Sequence, residues 1–135
     1  MVGKLTNMAI NKERDFQSKF CKWIKENKIP GLFELKISHG NTVSWGKFES
    51  QQLPSLWKCY TEGLYHKESD LGSISLKPAD CWFMKQDAFV GIMFNIPDNQ
   101  NVFYLIHIKE VMKLREKQKS ITKKDCETLA IKHSF

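Results

Sequence analysis

The length of the apolar runs is the feature of this sequence that most limits its fold. The two longest, Ala88–Phe94 and Val102–Ile108, are seven residues each, a length that suits short β-strands. Neither approaches the ~20 apolar residues that a membrane-spanning helix needs. The sequence therefore predicts a domain of short strands and helices with no association with a membrane.

Length and composition predict a single domain over residues 1–135. Of these 135 residues, 41% are hydrophobic and 12% aromatic, which is enough for one packed core. Residues 1–10 contain neither a continuous apolar stretch nor a small-residue cleavage site, so we expect no secretion. We expect a loose N-terminus over 1–10 and a basic, helical segment over 110–135.

Charge and cysteine spacing narrow the classes of function. The formal net charge is +6, which favours polyanionic partners such as nucleic acid, although many ordinary soluble domains are equally basic. The four cysteines, at positions 21, 59, 81 and 126, are never closer than 22 residues. This spacing excludes a C-x-x-C zinc site and favours reduced cysteines in the cytoplasm. Cys21 and Cys81 lie on apolar stretches and are predicted to be small core residues.

Periodicity and turn residues predict an α+β fold in which a small mixed β-sheet is flanked by helices, in the order α-β-α-β-β-β-α-α. Pro54 predicts either a kink in the second helix or a start nearer Leu53. The predicted elements are a helix from the N-cap Asn11 to about Asn27, a strand at Leu32–Ser38, a helix within Phe48–Leu64, strands at Ala79–Met84, Ala88–Phe94 and Val102–Ile108, a helix at Glu110–Lys119, and a last helix after a Thr122/Asp125 capping box. The turn Lys85-Gln86-Asp87 suggests a hairpin between the second and third strands.

The segment Phe33-Glu34-Leu35-Lys36-Ile37 is the most informative local pattern. Alternate side chains of a strand point to opposite faces, so Glu34 and Lys36 share one face and the apolar residues share the other. A carboxylate can bind a divalent cation while a neighbouring amine steadies or helps deprotonate the attacking water. The pattern predicts a catalytic pair, with a salt bridge on a solvated strand face as the alternative.

Asp80 is the second candidate residue. It follows Pro78 and enters the predicted strand Ala79–Met84. A carboxylate at the end of a strand is a natural ligand for a hard cation. The alternative is an Asp that caps a turn.

Two polar residues on predicted helices complete the candidate set. Glu13 lies three and seven residues before Phe16 and Phe20, which predicts that it shares their inward face. Gln52 has apolar residues four positions before and after it, so it is expected to face the sheet and to position a water or a phosphate. The alternative for Glu13 is a residue that the helix dipole favours in a first turn. The alternative for Gln52 is a hydrogen-bonded amide in the core.

The order of these residues resembles the PD-(D/E)xK nuclease superfamily, and within it the RecU-type and phage-encoded Holliday junction resolvases. In RecU-type proteins an F-E-x-K strand is followed by a helix that bears F-x-x-H-Q. This chain has Phe33-Glu34-Leu35-Lys36 and then Phe48-Glu49-Ser50-Gln51-Gln52, with Gln51 in place of the His. The stretch from Gly63 to Asp80 is similar to small phage-type relatives of that group.

The resemblance, which runs from about residue 13 to residue 108, implies a restriction-endonuclease-like core and phosphodiester hydrolysis with Mg²⁺ or Mn²⁺. In that scheme Asp80, Glu34 and the backbone carbonyl of Leu35 hold the metal. Lys36 orients the water, and Glu13 binds a second metal or its water shell.

One departure from the superfamily pattern concerns the metal-binding Asp, which usually precedes the E-x-K strand. Here Pro30-Gly31 stands just before that strand, and the well-placed candidate is Asp80, downstream of it. We therefore expect Asp80 to lie on a neighbouring strand that converges on the same point as Glu34.

The resemblance also implies a substrate and an assembly. We expect an endonuclease that acts on branched DNA as a homodimer, because cutting a junction requires two active sites. Basic residues are predicted to contact phosphates, although a solvated helix face explains most of them equally well: Lys77, Lys113, Arg115 and Lys117. Two alternatives remain open, namely a nuclease for flaps, ends or single strands, and a non-catalytic nucleic-acid-binding or inhibitor protein on a nuclease-like scaffold.

Overall fold

The computed structural model describes residues 2–68, 78–97 and 101–135, with side chains from residue 12 onward. Its helices and strands are α1 (Val2–Asn27), β1 (Leu32–Ser38), β2 (Thr42–Ser44), a 3-10 turn (Trp45–Lys47), α2 (Gln52–Thr61), β3 (Leu64–Lys67), β4 (Cys81–Met84), β5 (Ala88–Phe94), β6 (Val102–His107), α3 (Ile108–Lys117), β7 (Ser120–Thr122), α4 (Lys123–Leu129) and β8 (Ile131–Ser134). No helix in these described ranges is long and apolar enough to span a membrane.

The main sheet has four strands in the order β1-β5-β6-β8. β1 runs parallel to β5, while β6 and β8 follow in antiparallel pairing. All residues of β5 except Phe89 are buried, as expected for a strand covered on both faces, which has a nearly continuous apolar sequence. The predicted α+β fold with a mixed sheet flanked by helices is therefore confirmed.

α1 covers one face of this sheet. Its fully buried Phe16 and Phe20 pack against Leu35, Ile37 and other apolar residues of β1, β5 and β6. At Gly91 a Cβ atom would lie 2.7 Å from the Leu35 side chain, which is closer than two carbon atoms can pack. The missing side chain at Gly91 therefore allows Leu35 to lie flat on the sheet beneath the helix.

The opposite face is covered by α2, α3 and α4. Val90 and Ile92 of β5 belong to this second cluster, together with Leu56 of α2, Val111 of α3 and Cys126 of α4. The predicted capping box starts α4 as expected, because the Thr122 hydroxyl accepts from the Asp125 N–H while the Asp125 carboxylate accepts from the Thr122 N–H. The sheet is therefore a middle layer, and each face has its own helices.

Two smaller sheets complete the described structure. β2 pairs with β7, and β3 pairs with β4 to form a two-stranded ribbon. The ribbon joins the domain at its Leu64–Met84 end, where the Gln86 N–H donates to the Cys59 carbonyl of α2. The predicted hairpin between Ala79–Met84 and Ala88–Phe94 is wrong, because β4 pairs with β3 whereas β5 is taken up by β1 and β6.

The ends of α1 and α2 correct one prediction and confirm another. α1 begins at Val2 and not at Asn11, so the loose N-terminus predicted for 1–10 is wrong. Those residues include good helix formers and no proline, so nothing in them stops the helix. α2 begins at Gln52, close to the predicted alternative, and Pro54 lies in its first turn, where a backbone N–H has no partner inside the helix. Gly63 follows the helix with φ +104°, a conformation that favours glycine.

The segment after α3 contains strands as well as a helix. The two predicted helices are present as α3 and α4, but the prediction that the chain ends in a helix is wrong, because β8 is the last element and extends the main sheet by pairing with β6. Three- and four-residue strands such as β7 and β8 show too little alternation to be recognised in sequence. β7 pairs with the equally short β2, and β8 pairs with the longer β6, so both depend on partners that are distant in sequence.

Candidate active site

Glu34 and Lys36 lie on β1, at an edge of the main sheet. β5 is the neighbour of β1 in that sheet, with Glu34 opposite Val90 and Lys36 opposite Ile92. Val90 and Ile92 belong to the cluster beneath α2 and α3. Both charged side chains therefore point to the α2 side of the sheet, and the prediction that they share one face is confirmed.

The two side chains form a sheltered ion pair. Lys36 Nζ lies 3.4 Å from Glu34 Oε1, and the side chains of Lys36 and Glu34 are 12% and 25% exposed. The helical pair Lys22–Glu26, in contrast, spans 4.0 Å with side chains 78% and 61% exposed. Water screens an exposed pair strongly and a sheltered pair much less. The salt bridge of the alternative interpretation is therefore present, but on a strand face that is partly covered and not fully solvated.

The ring of Phe48 provides a second contact to the lysine. Lys36 Nζ lies 5.1 Å from the centroid of that ring, within the range in which the negative face of an aromatic ring attracts a cation. Phe48 is half-buried and packs against the cluster beneath α2 and α3. The ammonium group therefore lies between the Glu34 carboxylate and an aromatic face.

Gln52 begins α2 and does not project freely toward the sheet. Its side-chain oxygen accepts a 2.9 Å hydrogen bond from the Glu49 N–H, so its carbonyl fixes the backbone next to Phe48. Gln52 is half-buried. The contact agrees with the alternative of a satisfied amide, and it gives Gln52 an indirect link to Lys36 through the position of Phe48.

Asp80 lies on the β3–β4 ribbon and not in the main sheet. It is exposed and comes directly before β4, beyond the Lys67–Cys81 end of the ribbon, where its backbone carbonyl accepts a 2.7 Å hydrogen bond from the Glu68 N–H. The four residues from Met84 to Asp80 correspond to about 13 Å along the ribbon. We expected Asp80 to lie on a strand next to β1. Instead, the strand that follows Asp80, β4, pairs with β3, and the neighbour of β1 in the main sheet is β5.

Glu13 lies on the other side of the sheet from the ion pair. It is exposed on α1, the helix that covers the face to which Phe33, Leu35 and Ile37 point. The prediction that it shares the inward face of Phe16 is wrong, because the Glu13 side chain is exposed to water whereas Phe16 is fully buried. The structure brings Glu34 and Lys36 together and does not bring Glu13 to them.

The predicted phosphate-binding residues fall into two groups. Lys113, Arg115 and Lys117 are exposed on α3, which packs on the same side of the sheet as α2. Lys113 Nζ also lies 3.7 Å from Glu110 Oε1. Lys77 lies outside the described residues.

The metal-ligand groups available are few. Within the described residues, no three His, Cys, Asp or Glu side chains come together in a way that could hold a metal ion. A site on β1 would use the Glu34 carboxylate and the Leu35 backbone carbonyl. Both are oxygen ligands of the kind that Mg²⁺ prefers, and Mg²⁺ commonly keeps several waters beside one or two carboxylates.

Comparison of this chain with protein-family models, with curated proteins and with solved structures finds no match. The PD-(D/E)xK resemblance therefore stays a prediction. The contacts of Glu34 and Lys36 are the structural features that bear on function.

Phe48 and Trp45 are the residues around the pair whose roles the sequence did not reveal. The Trp45 ring lies 6.2 Å from the Phe48 ring, and its indole N–H donates a 2.8 Å hydrogen bond to the Gln118 carbonyl after α3. A ring twelve positions after a lysine gives no local pattern, because the contact depends on how α2 meets β1. The spacing of Phe48 and Gln52 pointed to this region, although α2 begins only at Gln52 and Phe48 precedes it.

Proposed function

We propose that this chain is a metal-dependent DNA endonuclease with its active centre on β1. The observation that carries the proposal is the sheltered Glu34–Lys36 pair, 3.4 Å apart on an edge strand that is packed on both faces. Keeping two charged groups partly out of water is costly, and a stable sheet edge does not require it. Catalysis provides a reason for this cost, because rigid charged groups act more strongly when they are sheltered from water.

Mg²⁺ or Mn²⁺ is the cofactor of the proposal, held by Glu34, the Leu35 carbonyl and Asp80. The ion would supply charge neutralisation at the scissile phosphate. Glu34 and Leu35 are adjacent on β1, whereas Asp80 belongs to the ribbon. The two ligands on β1 are therefore the fixed part of the proposed site.

Lys36 carries the catalytic role that its contacts support best. Hydrolysis joins a water oxygen to phosphorus, breaks one phosphorus–oxygen ester bond and releases a proton to solvent. An ammonium group held beside Glu34 can orient that water, and it can stabilise the negative charge that grows on the phosphate oxygens. Gln52 contributes by fixing the start of α2, and Glu13 has no contact that supports a catalytic role.

Branched DNA is the proposed substrate, cut by a homodimer whose core is restriction-endonuclease-like. The mixed sheet with helices on both faces is compatible with such a core. Three exposed basic residues support DNA binding on the α2 and α3 side: Lys113, Arg115 and Lys117. The excess of basic residues, 21 against 15 acidic, supports a polyanionic partner in general.

A non-catalytic DNA-binding protein on the same scaffold is the second candidate. It is favoured by the absence, among the described residues, of three metal-ligating side chains in one place. Such a protein would bind DNA equally well in EDTA, and its affinity would fall steeply as salt rises.

Cleavage of labelled DNA distinguishes the two candidates. Purified protein is incubated with a four-way junction, a flap and a linear duplex, in Mg²⁺, in Mn²⁺ and in EDTA. We expect metal-dependent paired nicks in the junction that Glu34→Ala abolishes. Glu26→Ala is the matched control, since Glu26-Asn27-Lys28 is a second E-x-K at an exposed helix end. Tight binding without cleavage by the wild-type protein would favour the non-catalytic candidate instead.

A further inference from the structure

We propose that Phe48 is a positioning residue whose ring face holds the Lys36 ammonium in place for catalysis. The inference rests on the proposed function, because it concerns the same lysine. It adds that the position of Lys36 depends on an aromatic ring from the segment between the 3-10 turn and α2, as well as on Glu34. The geometry behind it is the 5.1 Å distance from Lys36 Nζ to the ring centroid and the low exposure of the lysine side chain, 12%.

The ring offers Lys36 a partner that a bound metal does not remove. A divalent cation on Glu34 would repel the ammonium, because both are positive and the carboxylate is shared between them. The face of an aromatic ring attracts a cation without competing for the metal. Phe48 would therefore keep Lys36 close to the site when the attraction to Glu34 is at its weakest.

Phe48 is itself held in a fixed position. Its backbone N–H donates a 3.1 Å hydrogen bond to the Trp45 carbonyl, and the next residue, Glu49, donates its N–H to Gln52 Oε1. The indole of Trp45 is anchored in turn to the Gln118 carbonyl. A ring that is fixed on both sides can restrain the flexible lysine chain, whose side-chain entropy would otherwise be large.

The position of Lys36 can be measured without any cleavage assay. Lysines are reductively methylated with ¹³C-formaldehyde, and the Lys36 signal is assigned by its loss in Lys36→Arg. We expect an upfield ring-current shift for the Lys36 methyl carbons and protons, which Phe48→Leu removes and Phe48→Tyr keeps. Phe33→Leu, a half-buried Phe on the opposite face of β1, is the control and should leave the shift unchanged.

The catalytic consequence is measured with a graded series at position 48. Phenylalanine is replaced site-specifically by its mono-, di- and trifluorinated analogues, which keep the shape of the ring and progressively weaken its attraction for a cation. We expect kcat on the DNA substrate to fall step by step with each fluorine, and Phe48→Leu to lose about 2- to 30-fold. KM should change little, because the ring is not a DNA contact in this scheme.

The outcomes separate this inference from the proposed function. A wild-type Lys36 signal without a ring-current shift, or equal kcat across the fluorinated series, would overturn the role of Phe48. A normal shift with no cleavage by the wild-type protein would instead overturn the proposed function, and the catalytic role of Phe48 with it. A packing role alone predicts that Phe48→Leu is tolerated and that fluorination has no effect.

Discussion

β1 and the β3–β4 ribbon carry the two carboxylates of the proposed site, but the protein holds them in different ways. Glu34 belongs to a strand covered by α1 on one face and by α2 on the other. Asp80 lies at the end of a two-stranded ribbon whose aromatic residues Tyr65 and Phe83 are 67% and 65% exposed. The Glu34 carboxylate therefore lies on a strand that is packed on both faces, whereas the Asp80 carboxylate lies on a ribbon with exposed aromatic side chains.

The difference shows which part of the candidate site the core determines. The Glu34–Lys36 geometry follows from the pairing of β1 with β5 and from the contact of α2 with β1. A two-stranded ribbon has few buried contacts of its own, and such segments open at low free-energy cost. We therefore assign the fixed part of the site to β1, and we expect Asp80 to reach its final position only in the presence of metal and DNA.

The largest expected effect separates the stability of the two regions. Ile92→Ala removes a fully buried side chain of β5 and should lower the free energy of unfolding by about 2–5 kcal/mol. Tyr65→Ala on the ribbon should change it by less than about 0.5 kcal/mol. Urea unfolding followed by circular dichroism measures both. A loss of similar size in the two variants would show that the ribbon is packed as firmly as the sheet.

Thiol labelling compares the same regions without mutation. Cys81 on β4 and Cys21 on α1 are exposed, contrary to the prediction that both are core residues, whereas Cys59 and Cys126 are buried. Burial is the largest cause that raises the pKa of the Cys126 thiol, to about 12, and the nearby Asp125 and Glu127 raise it further. Since the thiolate is the reactive form, Cys126 should react with a disulfide reagent at pH 8 at least about 100-fold more slowly than Cys81.

The count of reactive thiols provides the control for this experiment. Two thiols should react quickly in the native protein and four after denaturation in guanidinium chloride. Slow reaction of Cys81 in the native protein would contradict the exposure of the ribbon.

The smallest effect compares two aspartates. Burial alone would raise the pKa of Asp125, but hydrogen bonds from Thr122 and Gln118 outweigh it and lower the pKa. A lowered pKa stabilises the fold above about pH 4, the value of an unfolded Asp, and this stability is lost as the pH falls through the folded value. Asp125→Ala should therefore cost about 1 kcal/mol at pH 7 and progressively less toward low pH.

Asp15→Ala on the exposed surface of α1, where the side chains of Asp15 and its partner Lys19 are 50% and 44% exposed, is the matched control for that variant. It should leave the free energy of unfolding within about 0.5 kcal/mol of the wild type. Thermal unfolding between pH 7 and pH 3 measures both variants. A cost for Asp125→Ala that stays constant with pH would contradict the capping role of its carboxylate.

Sequence patterns predicted the longer strands of the fold well. β1 and β5 begin and end at the predicted residues, because alternation identifies a strand such as β1 and a continuous apolar run identifies a buried strand such as β5. Pro54 and Gly63 located the ends of α2 for equally local reasons. The pairing of these strands was not predictable, since the parallel contact of β1 with β5 joins residues more than fifty positions apart.

The candidate site was predictable only in the part that a single strand determines. Alternation was sufficient to put Glu34 and Lys36 on one face, and the structure agrees. Helical spacing failed for Glu13, because spacing gives the position of a residue around the helix axis but not its burial. The Phe48 contact and the separate ribbon of Asp80 depend on tertiary packing, which no local pattern contains.

The most direct test asks where a divalent cation binds. Fe²⁺ replaces Mg²⁺ in the presence of ascorbate and peroxide, so that radicals formed at the metal cut the nearest backbone, and the fragments are mapped by mass spectrometry. We predict cuts on β1 around Glu34 that excess Mg²⁺ and Glu34→Ala both suppress, while Glu26→Ala has no effect. Cuts around Asp80 should appear only when junction DNA is added. An absence of cuts on β1, with or without DNA, would contradict a metal-dependent active centre at Glu34.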